Sequence, residues 1–332
     1  MLRHSSDSEA GYTRHKKGRA WAYFDGDKRV TQRDEIDRLN ALALPPAYTD
    51  AWFCKDSSGH IQATGKDARG RKQYRYHPDY RARKDASKFG LLREFGEALP
   101  KLRKRVEQDL RRHSLGRDQV VAAVVRLLDA EHMRIGNEQY ARANKSFGLS
   151  TLRSRHVTKK NGRMKMRYTG KHGIVHEATI TDASLKRIVA KCQELPGQML
   201  FQYLGGDGEP NAISSSDVND YIRDASGGDF TAKHFRTWGA SVIAFEQLLA
   251  KDEAKRMSVK TMIEPVAEAL GNTVTMSRKS YVHPSLIDAL KDRPDDPLRG
   301  MERPRARRRL SSAETAFLKF LAKKPRRPRA KG

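Results

Sequence analysis

The N-terminal part of the chain alternates short apolar runs with turn residues, a pattern typical of β-strands. Residues 20–24 read Ala-Trp-Ala-Tyr-Phe and precede an Asp-Gly turn, and residues 73–76 form another strand-like segment. Residues 51–54 and 60–64 flank a Ser-Ser-Gly sequence, which favours a β-hairpin. The pattern therefore predicts a small β-rich domain over residues 20–82.

Helical spacing of apolar residues replaces this alternation from residue 83 onward. Apolar residues recur every three or four positions over 89–99, and Pro100 is expected to interrupt that helix. Residues 120–128 are apolar on most sides, which indicates a buried helix. We therefore expect a larger, mainly helical domain over residues 83–298. Its helices include three that begin after the capping residues Asp182, Ser216 and Thr231.

A β insertion interrupts the helical pattern. Residues 152–158, 163–169 and 174–180 have strand-like sequences. Asn161-Gly162 is a strong hairpin signal between the first two, and a Gly-Lys-His-Gly turn joins the second and third. The predicted fold class is therefore α+β, with a small β-rich N-terminal domain and a larger, mainly α-helical domain that carries a three-stranded β insertion.

Both ends of the chain are basic. Residues 1–19 are predicted to form a flexible arm. The segment 299–332 contains 13 Lys or Arg residues and only two acidic residues, and it is rich in Pro. This composition predicts a largely disordered tail until it meets a polyanion, although residues 311–321 could form a short helix.

The net charge of the whole chain indicates which class of partner it binds. Among 332 residues there are 66 Lys or Arg and 40 Asp or Glu, a formal net charge of +26. Such a charge favours a polyanionic partner, because neutralised phosphates release their counterions. Cys54 and Cys192 make no disulfide framework, which fits a reducing compartment. The chain lacks the long apolar run of a membrane span, and its first ten residues lack a signal-peptide core.

Several common chemistries are not supported by the sequence. Gly65 and Gly70 have the spacing of a phosphate-binding loop, but Arg71-Lys72 follows where Lys-Ser or Lys-Thr is needed. His172 and His176 are four residues apart, but in a turn and strand, where that spacing does not build a zinc pair. No Gly-x-Ser-x-Gly segment occurs. We therefore predict no cofactor and no metal.

The many basic side chains favour a reaction of another kind, the cleavage of phosphodiesters by positively charged groups. A phosphodiester is cleaved without a metal when a nucleophile attacks phosphorus, positive donors hold the non-bridging oxygens, and an acid protonates the leaving oxygen. Arg suits the oxygens because its planar fork binds phosphate bidentately. Lys suits proton donation because nearby cations and partial burial can lower its pKa. Tyr suits the attack, since a phosphotyrosine diester conserves the energy of the broken bond.

Four segments of the helical domain carry these residue types in the order Arg, Lys, Arg, Tyr, and a fifth lies in the β-rich domain. In this order they resemble the motifs of the type IB DNA topoisomerases, and more closely those of the short bacterial and poxvirus-like branch. The resemblance covers about residues 20–295. The segments are Arg-Ile-Gly-Asn-Glu-Gln-Tyr (134–140), Thr-Gly-Lys (169–171), Lys-His-Phe-Arg-Thr-Trp-Gly (233–239), Ser-Arg-Lys-Ser-Tyr-Val-His-Pro (277–284) and Gly-Arg-Lys-Gln-Tyr-Arg-Tyr (70–76).

This resemblance implies an activity and a role for each residue. The enzyme would relax supercoiled DNA without ATP or metal, through a transient single-strand break, a 3′-phosphotyrosyl intermediate and religation. Tyr281 would be the nucleophile. Arg134, Arg236 and Asn272 would hold the non-bridging oxygens, and Lys171, on its hairpin turn, would be the general acid.

Position 272 departs from part of the family. Poxviral and nuclear members carry a histidine nine residues before the tyrosine, where this chain and its bacterial relatives have Asn272. An Asn NH₂ can donate a hydrogen bond to a phosphate oxygen, but its contribution should be smaller than that of a cation. His283 is close in sequence to the nucleophile, yet its place just after Tyr281 makes it the less favoured substitute.

The expected partner is duplex DNA, held mainly through phosphates by a monomer whose two domains clamp it. A cytoplasmic, nucleoid-associated location follows from this partner. Deleting residues 299–332 is expected to lower DNA affinity and to leave strand cleavage intact. The residues expected to contact DNA are Arg71, Gln73, Tyr74, Tyr76 and Lys233.

Other interpretations remain open from the sequence. A tyrosine recombinase would carry a similar catalytic set, but usually His-x-x-Arg where this chain has Lys233-His-Phe-Arg236. A non-enzymatic architectural DNA-binding protein would need only the charge. Taken singly, Arg134 could be a helix-end cation, Lys171 an exposed turn residue and Tyr281 a packing residue.

Overall fold

A computed structural model describes residues 1–18, 20–68, 70–250, 257–293, 298, 301 and 304–323, without the side chains of 85–87. The chain divides into two compact units, Met1–Lys88 and Phe89–Gly332. The division falls six residues after the boundary expected at 82/83, and a continuous helix, Pro78–Gly90, crosses both positions. The predicted α+β class, with a β-rich first unit and a mainly helical second unit, is confirmed.

The first unit is built on an antiparallel six-stranded sheet, in the order β3-β2-β1-β4-β5-β6. The predicted hairpin over 51–64 is the β4–β5 pair, and the segment 73–76 lies in β6 at one edge. Tyr23, Leu39 and Phe53 are buried in the small core beneath the sheet. The elements are β1 (Tyr12–Lys17), β2 (Ala20–Asp25), β3 (Lys28–Arg29), α1 (Arg33–Ala41), β4 (Thr49–Phe53), β5 (Ile61–Lys66), β6 (Lys72–Tyr76) and α2 (Pro78–Gly90).

The N-terminal segment is not the flexible arm that its charge suggested. Residues 12–17 form β1, an interior strand of the sheet that pairs with β2 along its whole length. The guanidinium of Arg14 lies 4.2 Å from the centre of the Trp21 ring and donates to the carbonyl of Leu44 at 2.6 Å. A basic side chain is therefore compatible with a strand when its aliphatic part packs and its charged end is hydrogen-bonded.

The second unit is mainly helical, and it carries the predicted three-stranded insertion in the order β7-β8-β9. No helix within the described residues is both long and apolar enough to cross a membrane. The elements are α3 (Leu92–Leu110), α4 (Arg117–Glu131), α5 (Glu138–Asn144), β7 (Val157–Lys160), β8 (Arg163–Thr169), β9 (Val175–Ile180), α6 (Ala183–Glu194), β10 (Gln202–Leu204), β11 (Pro210–Ala212), α7 (Ser215–Ser226), α8 (Ala232–Leu249), α9 (Val259–Leu270), α10 (Val274–Ser280), α11 (Pro284–Asp292) and α12 (Ser312–Ala322).

Helix α8 lies at the centre of this unit and packs against α3, α4, α9 and α12. Phe235, Trp238 and Phe245 of α8 are buried in one continuous core with the apolar residues of α4. The expected interruption at Pro100 does not occur, because α3 continues through it to Leu110. Leu99 and Leu102 are fully buried, so packing on both sides of the proline outweighs the lost hydrogen bond.

Turn and capping residues correctly predicted the strands of the β insertion and the start of α6. Asn161 and Gly162 both have positive φ (+50° and +71°) and join β7 to β8 as predicted. Asp182 caps α6 by accepting from the backbone N–H of Ser184 at 2.8 Å. Helix α7 begins two residues earlier than expected, because Ser214 and Asp217 form a reciprocal capping box.

The C-terminal segment is also more ordered than its composition suggested. Helix α12 packs on α3 and α8, and its Ala316 and Phe317 are fully buried. The short helix expected over residues 311–321 is therefore confirmed, while its burial against α3 and α8 was not expected from the composition. Residues 299–300, 302–303 and 324–332 of the predicted tail lie outside the described residues.

Candidate active site

The loop after α4 presents Arg134 and is fixed by its backbone. The carbonyl of Arg134 accepts from the N–H of Leu149 at 2.9 Å. Gly136 has a φ of +105°, and a Cβ atom there would lie 2.9 Å from Oγ1 of Thr151, so the position requires glycine. The Arg-Ile-Gly part of the motif therefore holds the arginine at one position beside the core.

Arg236, in the second turn of α8, is almost fully buried, with 4% of its surface exposed. Its Nη1 donates to the carbonyl of His132, and its Nη2 donates to the carbonyl of Leu270 at 3.1 Å. These carbonyls end α4 and α9, where helix dipoles favour a positive charge. Burial and the nearby Arg134 lower the pKa of Arg236 to about 10, so it remains charged at neutral pH.

Asn272 follows α9 and contacts the first arginine. Gly271 ends the helix in the left-handed conformation, with a φ of +58°, and the backbone N–H of Asn272 donates to the carbonyl of Ala267 at 2.9 Å. The side-chain Oδ1 accepts from Nη2 of Arg134 at 2.8 Å. The Nδ2 group is buried and has no hydrogen-bond partner among the described residues. A buried amide donor is thus available beside Arg134.

Tyr281 stands at the end of α10, where backbone contacts fix it. Its N–H donates to the carbonyl of Ser277 at 3.0 Å. Ser241, fully buried on α8, places its hydroxyl 3.2 Å from the carbonyl of Tyr281 and accepts from the N–H of His283 at 3.0 Å. The helix that carries Arg236 therefore also holds the backbone at Tyr281.

The two arginines surround the Tyr281 side chain. The guanidinium of Arg236 lies 5.2 Å from the centre of the Tyr281 ring. Burial alone would raise the pKa of Tyr281, but the charges of Arg236 and Arg134 and their hydrogen bonds to its oxygen lower that pKa below the ordinary value of 10. The arrangement stabilises the phenolate, which is the nucleophilic form of the residue.

Lys171 is exposed on the turn between β8 and β9, as predicted. The N–H of Gly170 donates to the carbonyl of Ile174 at 2.7 Å, and His172 and Gly173 both have positive φ, which closes the turn. The structure thus brings Arg134, Arg236, Asn272 and Tyr281 together, whereas Lys171 stands on a neighbouring turn. Lys233 is exposed in the first turn of α8.

Two histidines near the site, His283 and His176, have different surroundings. The ring of His283 packs edge-on against Phe89, with centroids 5.5 Å apart, and burial lowers its pKa to about 4. It also caps α11, so it does not replace the family histidine. By contrast, burial is the main cause that lowers the pKa of His176, and the nearby charges of Arg134 and Arg236 lower it further. Sequence reasoning considered His176 only as part of a rejected zinc pair with His172 and did not mark Ser241, because no motif places either beside the proposed catalytic residues.

The predicted DNA contacts of the first unit lie on both faces of β6. Tyr74 and Tyr76 are 40% and 37% exposed and stack on one face, with centroids 5.8 Å apart. Gln73 lies on the opposite face and donates to Asp67 at 3.1 Å, and Arg71 donates to the same carboxylate at 2.8 Å. The tyrosine pair is therefore presented as predicted, while Gln73 and Arg71 share an acidic partner.

Comparison with known proteins agrees with this geometry. The family described as eukaryotic DNA topoisomerase I, catalytic core, matches residues 77–297. The family described as bacterial DNA topoisomerase IB, N-terminal domain, matches residues 20–67. A DNA topoisomerase 1B of Acanthamoeba polyphaga mimivirus is 33% identical over 299 residues, which are 86% of this chain and 89% of that protein.

The chain belongs to the type IB DNA topoisomerases. Other relatives of this topoisomerase are more distant. DNA topoisomerase 1 of Rabbit fibroma virus is 20% identical and covers 82% of the chain and 90% of its own length. A XerH site-specific recombinase structure covers 58% of the chain and 52% of its own, with 15% identity and a TM-score of 0.33, and this partial likeness does not bear on function.

Family membership decides between the interpretations that the sequence left open. The topoisomerase relaxes supercoiled DNA by transient strand cleavage and religation, as predicted. The recombinase and architectural alternatives are set aside, because the catalytic core and the N-terminal domain both match topoisomerase families. The roles of individual residues follow from the geometry of the site and are proposed below.

Proposed function

We propose that Tyr281 attacks a backbone phosphorus of duplex DNA in line with the departing 5′ oxygen and becomes joined to the 3′ phosphate. The observation that carries this proposal is the Tyr281 oxygen, which two guanidinium groups contact and whose pKa they lower. The ester bond to tyrosine conserves the energy of the broken phosphodiester, so religation by the 5′ hydroxyl needs no ATP. The cut strand swivels before the reaction reverses.

Arg134, Arg236 and Asn272 stabilise the non-bridging oxygens. Arg236 is fixed before DNA arrives, because helix-end carbonyls hold two of its nitrogens. Asn272 is fixed by Arg134 on one side, and its buried NH₂ has no partner among the described residues. Donors fixed in advance need little reorganisation as negative charge shifts, which is the usual source of large electrostatic stabilisation.

Lys171 is the proposed general acid, which protonates the 5′ oxygen as it leaves. The β8–β9 turn holds its backbone by hydrogen bonds while the side chain stays exposed to a DNA substrate. Lys233 or Arg134 assists this step or contacts the adjacent phosphates. No metal or other cofactor takes part in these steps.

The protein works as a monomer at the nucleoid, and most of its contacts are to DNA phosphates. In the first unit, the exposed Tyr74–Tyr76 stack on β6 contacts DNA. Arg71, Gln73 and Lys233 contribute further contacts. Because neutralised phosphates release counterions, binding weakens steeply as salt rises.

Relaxation of supercoiled plasmid in EDTA without ATP tests the proposal. Wild-type protein should yield relaxed topoisomers, and Tyr281→Phe should yield none, because the ring then lacks the attacking oxygen. Tyr203→Phe is the matched control, since Tyr203 lies on β10, outside the motif segments, and this variant should relax plasmid normally. Relaxation by Tyr281→Phe, or a protease-resistant DNA adduct on another residue, would contradict the proposal.

A further inference from the structure

The ring of His176 fills the space between two glycines of the catalytic unit. His176 on β9 pairs with Tyr168 on β8, and their rings stack with centroids 5.3 Å apart. A Cβ atom on Gly170 would lie 2.5 Å from Cδ2 of this ring, and one on Gly271 would lie 2.7 Å from its Cε1. A side chain at either glycine would therefore displace the ring.

Each glycine directly precedes a residue of the proposed reaction. Gly170 precedes Lys171, and Gly271 precedes Asn272. Gly170 has a φ of −94°, which any residue can adopt, so its missing side chain is explained by the close approach of the ring rather than by backbone strain. The ring thus contacts both the turn that carries the proton donor and the helix end that carries an oxygen-binding amide.

The charge on His176 does not explain this placement. Burial and the positive charges of Arg134 and Arg236 lower its pKa, and Tyr168, which faces it, is held neutral because burial raises the pKa of that phenol to about 12. A neutral ring adds no positive charge at the phosphate. What remains is its shape, which fixes the distance between the two backbone segments that it contacts.

We propose that His176 is a positioning residue for DNA cleavage, whose ring holds the Lys171 turn against the Gly271-Asn272 corner. The ring keeps the proton donor aligned with the leaving oxygen while Arg236 and Asn272 hold the phosphate. This inference rests on the role proposed for Lys171, and it adds a residue that touches neither the substrate nor the nucleophile.

Single-turnover cleavage of two DNA substrates tests the inference at saturating DNA. One substrate carries the ordinary 5′ oxygen at the cleavage site, and the other carries sulfur there. A thiolate leaves without protonation, so the sulfur substrate does not need the general acid. Loss of the ring should slow the oxygen substrate about tenfold to hundredfold, because small misplacements of a catalytic group cost that much, and should leave the sulfur substrate within about threefold.

Three variants separate ring shape from other contributions. His176→Ala removes the ring, His176→Gln keeps a polar group without it, and His176→Phe keeps a planar ring without nitrogen. The expected order of rates on the oxygen substrate is Phe near wild type, with Gln and Ala slow. His113→Ala is the matched control, because His113 is exposed between α3 and α4 and should change neither rate.

The outcomes distinguish this inference from the role of Lys171. Equal slowing of both substrates by His176→Ala and His176→Gln, or an active Gln variant with an inactive Phe variant, would overturn the positioning role. Lys171→Ala should be slow on oxygen and fast on sulfur. If it is slow on both, the role of Lys171 fails by itself. If the Ala variant does not fold, as judged by circular dichroism, the Gln and Phe variants decide.

Discussion

At position 236 the chain buries a guanidinium whose hydrogen bonds go to the last carbonyls of two helices. Such an arginine is a structural residue and a candidate catalytic residue at once. Removing it would leave two buried carbonyls unpaired as well as removing a charge beside Tyr281. A loss of activity in Arg236 variants therefore cannot be assigned to phosphate binding alone, whereas Asn272 offers a cleaner test.

Replacing Asn272 should separate its two hydrogen-bonding ends. Asn272→Ala removes the NH₂ donor, and we expect single-turnover cleavage to slow about tenfold or more, since a hydrogen bond to a charged group contributes about 1.5–3 kcal/mol. Asn272→Asp still accepts from Arg134 but places a negative charge near the phosphate, so it should be slower than the Ala variant. Asn272→His restores a donor and should be the fastest of the three.

The control for this series is Asn211→Ala. Asn211 is exposed on β11, and its amide donates to the nearby carbonyl of Glu209 at 3.1 Å. The rate of this variant should match that of wild type. An Asp variant as fast as wild type would mean that the amide donor at 272 does not contact the phosphate.

Among the elements, helix α12 shows how a basic segment becomes part of the core. Arg103 on α3 pairs with Asp129 of α4 at 2.7 Å and with Glu314 of α12 at 2.8 Å. Trp238 of α8 donates to the same Glu314 carboxylate at 2.9 Å. Four helices thus meet at one largely buried ionic group, in which a single guanidinium pairs with two carboxylates.

Breaking this group should destabilise the second unit in a defined order. Arg103→Met leaves two buried carboxylates without their partner and should lower the free energy of unfolding by about 3–5 kcal/mol. Glu314→Gln should cost less, because Arg103 keeps Asp129. The measurement is urea unfolding at pH 7, with Glu138→Gln as the control. Glu138 pairs at the surface with Arg142 and should cost below about 1 kcal/mol.

The effect of Glu314→Gln should also depend on pH. Burial raises the pKa of Glu314, but the hydrogen bonds and charge of Arg103 outweigh it and lower that pKa below the ordinary value of 4.5. A lowered carboxyl pKa stabilises the fold above the unfolded-state pKa, and this contribution is lost as the pH falls through the folded-state value. The difference between variant and wild type should therefore shrink in acid, and a constant difference would contradict this assignment.

At the scale of the whole molecule, the effect of shortening the basic tail on DNA affinity and stability depends on where the chain is cut. Residues 324–332 contain five Lys or Arg residues, while residues 312–322 form α12. Truncation after Lys323 should lower DNA affinity and leave cleavage at saturating DNA and the melting temperature unchanged. The slope of log affinity against log salt should become shallower by about 0.9 for each phosphate that the truncated protein no longer neutralises.

The deletion of 299–332 considered from the sequence should behave differently. It removes α12, including the buried Phe317 and Glu314, so it should lower the melting temperature as well as the affinity. A variant with Gln in place of the five cations after Lys323 is the matched control, since it keeps the chain length. Equal melting temperatures for the two truncations would show that α12 does not stabilise the unit.

Many local physical signals predicted the structure, although α3 continues through Pro100 and α7 begins at Ser215. Positive φ at Asn161-Gly162, the capping carboxylate of Asp182 and the alternating apolar strands are each decided within a few residues. The proposed catalytic residues are predicted from their types and order, which resemble the family motifs. The charge of β1 misled the prediction of a flexible arm, although its partner strand β2 follows directly in sequence. The short helix expected over 311–321 is confirmed as α12, but its burial depends on α3 and α8, which are distant in sequence.

The amino-acid sequence by itself determined the fold class, the family motifs and the chemistry that Arg, Lys and Tyr can perform on a phosphodiester. Only the tertiary structure decided which groups lie together: that Arg134 and Arg236 converge on Tyr281, that the buried NH₂ of Asn272 has no partner among the described residues, and that His176 lies between two glycines. The physical reason is that residue type and local propensity are properties of short segments. The pKa of a tyrosine and the room beside a glycine depend on helices and strands that are distant along the chain and adjacent in space.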